Sequence, residues 1–299
     1  MIDFKTLFYE TAIIPVIKIE SPDKADGLAN ALRAGGLHIA EVTFRTRAAP
    51  AVIQHIAVRH ADIVVGAGTV TAREEVDAAL DAGAAFIVSP GFNPVIVEYC
   101  LRKGVPVFPG VNTPSLIEQA MGMGLSILKF FPAEVSGGTK ALKAFESVYP
   151  QVSFIPTGGV QESNINEYLA CKNVVACGGS WIVPTELIEA GKFEAIEGLI
   201  RSARRTMLGF LPLQHGDRGR DRQSGDGDGG LNWEKSDAAS KMGDKATIEV
   251  KTTSLPRSLA MLQAEGFSYV PGSEVMKGQS MVAAEIEIPS FYGRIRLVE

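Results

Sequence analysis

Gly124-Leu125-Ser126-Ile127-Leu128-Lys129-Phe130-Phe131-Pro132 sets a glycine before an apolar run, a lysine inside it and a proline after it. The arrangement recurs. Gly36 precedes LHIAEVTF (37–44), Gly83 precedes AAFIVSPG (84–91) and Gly104 precedes VPVFPG (105–110). A glycine closing an amphipathic stretch supplies the left-handed residue that ends a helix, and the β-branched or apolar run behind it reads as a buried strand. The repeating unit is helix, glycine, strand. Strands are predicted near 12–18, 37–44, 62–68, 85–89, 105–109, 125–131, 152–157 and 174–178, after a helical lead-in at 2–10. Eight such units in about 210 residues predict an α/β fold of the (β/α)8 TIM-barrel type. A doubly wound sheet is the alternative. It would normally carry an early G-x-G-x-x-G turn, and GAGTV at 66–70 lacks the third glycine.

A barrel places its chemistry at the C-terminal ends of the strands, which should break the apolar rule. The second strand ends Glu41-Val42-Thr43-Phe44-Arg45-Thr46, the third Gly66-Ala67-Gly68-Thr69 and the sixth Leu128-Lys129-Phe130-Phe131-Pro132. Side chains alternate along a strand, so Glu41, Thr43 and Arg45 share one face, as do Ile127, Lys129 and Phe131. A lysine in that position is costly unless paired or neutralised. Partial desolvation depresses an amine pKa, and a neutral amine attacks a ketone to form a Schiff base. The plain alternative is a lysine that snorkels at a strand end. Neighbouring strand ends carrying a carboxylate, a guanidinium and a hydroxyl argue against it. Glu41, the acid on these inner faces, is the candidate proton carrier. Arg45 suits bidentate recognition of a substrate carboxylate, and Thr69 offers a hydroxyl or is simply a satisfied turn residue. Pro156-Thr157-Gly158-Gly159 and Cys177-Gly178-Gly179-Ser180 end the last two strands, where paired glycines let backbone N–H groups receive a phosphate, with Ser180 as a further donor.

The chain has 299 residues, with 29 Lys+Arg against 34 Asp+Glu and a net charge of -5, which favours a small-molecule role over polyanion binding; no nucleic-acid or membrane partner is expected. Met1 is followed by the mixed Ile2-Asp3-Phe4-Lys5, and no apolar run reaches membrane length, so no export leader is expected. Cys100, Cys171 and Cys177 show no metal spacing and read as reduced thiols in a cytoplasmic protein.

EVTFRT (41–46), GAGTV (66–70), SPG (89–91), KFFPAE (129–134), PTGGV (156–160) and GGSW (178–181) together resemble the motif set of the class I 2-keto-3-deoxy-6-phosphogluconate (KDPG) and 4-hydroxy-2-oxoglutarate (KHG) aldolases over about residues 1 to 210. The resemblance implies a (β/α)8 homotrimer with neither metal nor other cofactor. It makes Lys129 the Schiff-base lysine and Glu41 the general acid/base. Arg45 and Thr69 become ligands of the pyruvate end, Pro90 and Phe131 line the substrate site, and Gly158, Gly159, Gly179 and Ser180 hold phosphate. The reaction implied is cleavage of KDPG to pyruvate and glyceraldehyde 3-phosphate, with KHG as a further substrate. Lys18 departs from the family, which often has an apolar residue or an arginine there; it either touches substrate or caps its strand. Two alternatives share the phosphate loops: a phosphosugar isomerase or epimerase, which has no need of Lys129, and a non-catalytic sugar-phosphate sensor.

Three segments are expected: the barrel over 1–212, a Gly/Asp/Arg-rich flexible linker over 213–245 and a small α+β extension over 246–299. In the extension, 247–251 reads as a strand, 254–266 as a helix, and 280–288 and 293–298 as strands. This βαβββ-like order resembles one degenerate module of the vicinal-oxygen-chelate superfamily, with Thr247 where a metal-binding histidine would be expected. None of His38, His55, His60 and His215 falls in the module, so no metal is expected there.

Overall fold

The computed structural model describes residues 2–208, 247–252, 254–264, 267–277, 280–287 and 294–298. They form two compact units, Met1–Met207 and Leu208–Glu299. The first is an eight-stranded parallel barrel. Its strands are β1 (Ile13–Ile17), β2 (Ile39–Thr43), β3 (Val64–Gly68), β4 (Ile87–Ser89), β5 (Val107–Val111), β6 (Ile127–Phe130), β7 (Ser153–Pro156) and β8 (Cys177–Gly179), with helices between them. The order is β7-β6-β5-β4-β3-β2-β1-β8. The ring is nearly closed by the bridges Phe154↔Val174 and Thr157↔Gly178 between the β7 and β8 segments. Because Val174 makes only an isolated bridge, β8 begins later than its apolar run.

Helix closure follows the glycine pattern. Gly36, Gly83, Gly104 and Gly124 all have positive φ, from 69° to 91°. The lead-in helix Phe4–Thr11 is capped by Asp3, whose carboxylate accepts from the N–H groups of Lys5 and Thr6. It drives Phe4 and Phe8 between Phe86 and Phe108, with centroid distances of 5.0–6.2 Å. Ile14, Ile39, Val88 and Ile155 join this cluster. Full burial of each such aromatic stabilises the fold by about 1.5–3 kcal/mol. Gly66 makes room: a Cβ there would lie 2.4 Å from the Phe86 ring. The alternate positions face the helix layer, where Phe130 meets Phe145 at 6.0 Å and Phe154 at 6.3 Å. The three cysteines are buried and form no disulfide with one another, and burial pushes the Cys100 thiol up to about 11.

The second unit holds β9 (Thr247–Lys251), a helix Leu255–Ala264, β10 (Ser268–Tyr269), β11 (Val275–Lys277), β12 (Ser280–Glu287) and β13 (Arg294–Val298). The sheet order is β10-β12-β13-β9, with β11 also on β12. β9 runs parallel to β13, and β12 is antiparallel to its neighbours. Leu255, Met261 and Leu262 of the helix are buried, as are Ala284, Ile286 and Leu297 of the sheet. The alternation did not single out β10 and β11, which at two and three residues are too short to display a period. The expected linker, 213–245, lies outside the described residues.

Candidate active site

Along β2 the inner face reads Ile39, Glu41, Thr43, rising from the apolar cluster toward the mouth. Across the barrel, β6 presents Lys129. Its Nζ lies 3.4 Å from Glu41 Oε1, with the two side chains only 7% and 5% exposed. This spacing exceeds the roughly 2.7–2.9 Å of a tight charged hydrogen bond and leaves the pair free to exchange partners. Nζ also sits 5.3 Å from the centroid of the Phe131 ring, so that aromatic face forms part of the amine's surroundings. A buried charge pair of this kind is costly to assemble and worth little for stability, which favours a chemical reason for it.

Backbone room decides the geometry. A Cβ on Gly68 would come within 2.2 Å of Glu41 Oε1, and one on Gly110 within 2.1 Å of the Pro90 carbonyl oxygen. Gly110 is the register partner of Lys129. Gly68 therefore seats the carboxylate, and Gly110 lets the Pro90 turn approach the strand that flanks the amine. The 66–70 stretch, which lacks the third glycine of a dinucleotide turn, owes its glycines to Phe86 below and Glu41 above. Thr69 follows directly with φ +57°, a left-handed conformation unusual outside glycine and the kind of strain that collects at functional sites.

Glu41 and Arg45 do not share a strand face as expected, because β2 ends at Thr43 and Arg45 lies in the turn beyond it, and the two do not pair. Arg45 Nε donates to Thr43 Oγ1 at 3.2 Å, and Thr43 Oγ1 donates to the Ile17 carbonyl at 2.7 Å. Arg45 and Ser180 line one cleft of about 310 Å3 with Val16, Lys18 and Trp181. Lys18 faces this cleft while its ammonium pairs with Glu20 Oε1 at 2.7 Å. The buried indole Nε1 of Trp181 has no acceptor. The two glycine pairs are not equivalent. Gly158 and Gly159 follow β7 with φ of +92° and +86°, whereas Gly178 and Gly179 lie inside β8. A Cβ on Gly178 would meet Thr157 Oγ1 at 2.3 Å, so that glycine serves strand packing.

Among the described residues one set has metal-ligand spacing: Asp26, His55 and His60, in the helix layer. Asp26 Oδ1 contacts His55 Nε2 at 2.7 Å and His60 Nε2 at 2.9 Å. Arg33 Nη2 lies 3.0 Å from His60 Nδ1. A guanidinium can only donate, so His60 keeps its proton on Nε2, facing Asp26. A metal would need that nitrogen bare and would meet the Arg33 cation behind it. These residues form a satisfied hydrogen-bond cluster instead, and its two imidazoles hold the Asp26 carboxyl down at about 2.

The family model for KDPG and KHG aldolases matches residues 5–199. The chain belongs to this aldolase family. Its barrel is 47% identical over 187 residues to the 2-dehydro-3-deoxy-phosphogluconate aldolase of Treponema pallidum, covering 62% of this chain and 89% of that protein. It is 41% identical over 191 residues to the KHG/KDPG aldolase of Escherichia coli K12, covering 64% and 90%. Among solved structures it resembles the Legionella pneumophila KDPG aldolase with pyruvate captured as a covalent carbinolamine, at a TM-score of 0.65 and 39% identity over 67% of this chain and 97% of that one. The chain is a class I, Schiff-base aldehyde-lyase. Sequence reasoning missed Gly68, Gly110 and Trp181. A glycine's purpose is set by what packs on it from another strand, and no local signal records that.

Proposed function

We propose that this chain cleaves KDPG to pyruvate and glyceraldehyde 3-phosphate, with Lys129 as the nucleophile and Glu41 as the acid/base. The observation that carries the assignment is the buried amine 3.4 Å from a buried carboxylate at the barrel mouth. Lys129 Nζ attacks the C2 ketone. Glu41 receives one proton from Nζ, a second N–H proton passes to the new alkoxide to complete the carbinolamine, and Glu41 returns its proton to that hydroxyl as it leaves as water to give the iminium. Glu41 then takes the C4 hydroxyl proton as the C3–C4 bond breaks, and that electron pair flows into the iminium. The aldehyde departs, the enamine is protonated at C3, and hydrolysis releases pyruvate and the free lysine.

Arg45 receives the C1 carboxylate, assisted by the Thr69 hydroxyl, with Pro90 and Phe131 walling the reacting carbons. Gly158, Gly159, Gly179 and Ser180 hold the phosphate; the positive-φ pair after β7 and the Ser180 side of the Arg45 cleft support this reading. The protein works in the cytoplasm as a homotrimer, for which the family resemblance and the exposed apolar Val58, Val95, Leu101, Val135 and Val148 are the support. No helix among the described residues is long and apolar enough to cross a membrane. The second unit serves docking or subunit contact. Turnover of KDPG, its C4 epimer and KHG tests the substrate assignment, which predicts the highest kcat/KM for KDPG. Equal values for KDPG and KHG would contradict a phosphate seat.

A further inference from the structure

The loop after β7 is held from behind by a carboxylate and a phenol that the reaction does not use. Glu134 opens the turn Glu134–Ser136 that follows β6. Its N–H donates to the Gly158 carbonyl at 3.1 Å, and the Ala133 N–H donates to Thr157 O at 2.8 Å. Two backbone hydrogen bonds thus tie the segment after β6 to the glycine loop. The Glu134 stem lies across that loop: a Cβ on Gly159 would come within 2.3 Å of Glu134 Cγ. Its carboxylate is committed to the helix layer, where Oε1 accepts a hydrogen bond from the Tyr168 hydroxyl. Tyr168, in the helix Ile165–Leu169, is 1% exposed. Burial first, and the hydrogen bond to Glu134 second, push its hydroxyl well above the usual tyrosine range, so it stays a donor. Asn164 holds the same loop from another side, donating from Nδ2 to Gly159 O at 3.0 Å.

A carboxylate whose stem rests on a loop that receives a phosphate dianion repels the ligand unless it is turned away. We propose that Glu134 and Tyr168 are positioning residues for the phosphoryl group: the stem shapes the Gly159 backbone, and the buried phenol parks the negative charge away from the seat. This rests on the reading of the Gly158-Gly159 loop as that seat.

The test is KM and kcat of the full-length protein for KDPG and for KHG, which lacks the phosphate. Tyr168→Phe raises KM for KDPG about tenfold, the scale of one unpaired charge near an anion, and leaves kcat and the KM for KHG unchanged. Adding Glu134→Gln to Tyr168→Phe removes the freed charge and returns the KM for KDPG toward wild type. Glu134→Asp, which leaves the buried tyrosine untouched, shortens the stem out of reach of Tyr168 and again raises KM for KDPG alone. Equal rises for both substrates, no rise, or no recovery in the double variant would overturn the proposal. Gly159→Ala separates the two layers of inference. If it raises both KM values equally, the phosphate seat itself is wrong. If it affects only KDPG while the Tyr168 and Glu134 variants do not, only the positioning role is wrong.

Discussion

The two ends of the barrel interior are built in opposite ways. At the N-terminal end, space is filled: Phe4, Phe8, Phe86 and Phe108 pack edge to face over Ile14, Ile39 and Ile155. At the C-terminal end, space is kept open by residues that have no side chain. Gly68 leaves room for the Glu41 carboxylate and Gly110 for the Pro90 turn, while the one charge pair enclosed there among the described residues is Lys129 with Glu41. One end is shaped by volume and carries stability; the other is shaped by vacancy and carries chemistry.

A pair of substitutions tests that division hardest. Phe8→Ala should lower unfolding stability by about 3–5 kcal/mol, as large-to-small core changes do, while kcat of the folded protein stays near wild type. Glu41→Gln should instead slow cleavage by about 10²–10⁴-fold, in a protein that still folds and partly retains imine formation. Denaturant unfolding alongside steady-state kinetics reads both, and a Phe8→Ala protein that loses catalysis without losing stability would break the contrast. Gly68→Ala sharpens it, since one methyl group displaces the carboxylate. The expected result is a fall in kcat of about tenfold to a hundredfold, within the range removed with the acid/base itself, in a protein whose circular dichroism spectrum is unchanged.

Several strands were legible because a left-handed glycine (Gly36, Gly83, Gly104, Gly124) closes the helix before them and an apolar run follows it; the helices that end at Ala12, His60 and Tyr149 carry no such mark. Glu41 and Lys129 were legible because a charge on the inner face of an apolar strand conflicts with burial, and a period of two says which face it takes. Their mutual contact was not legible: 88 residues separate them, and only the closed ring brings β2 opposite β6. The paired glycines looked alike in sequence, yet Gly158 and Gly159 take left-handed backbone in a loop while Gly178 yields space to Thr157 inside a strand. Asp26 and Arg33 lie on one helix, Ala25–Ala34, and the two imidazoles on or just after another, Ala49–Arg59, so their hydrogen-bond pattern appears only once those two helices pack.

Two smaller effects complete the contrast. A chain ending at Leu211 contains every residue assigned to catalysis and the full helix Phe193–Leu208. It should keep wild-type turnover, measured by pyruvate release; a folded, normally assembled barrel without activity would place the second unit in the site. The remaining effect lies outside the barrel interior. Asp26 has its folded-state pKa held at about 2 against 3.8 for the free side chain, by hydrogen bonds from His55 and His60. A depressed carboxyl stabilises the fold above its unfolded pKa, and that contribution disappears as pH falls from about 4 toward 2. Asp26→Asn should flatten the acid limb of the stability profile slightly, seen by thermal melts across that window, and an unchanged limb would remove the cluster from the acid response.

The most direct measurement is borohydride reduction in the presence of pyruvate, followed by peptide mass analysis. The predicted result is one reduced pyruvate adduct, on Lys129, absent together with all cleavage activity in Lys129→Ala. An adduct on Lys18, or full turnover by the Lys129→Ala protein, would contradict the account.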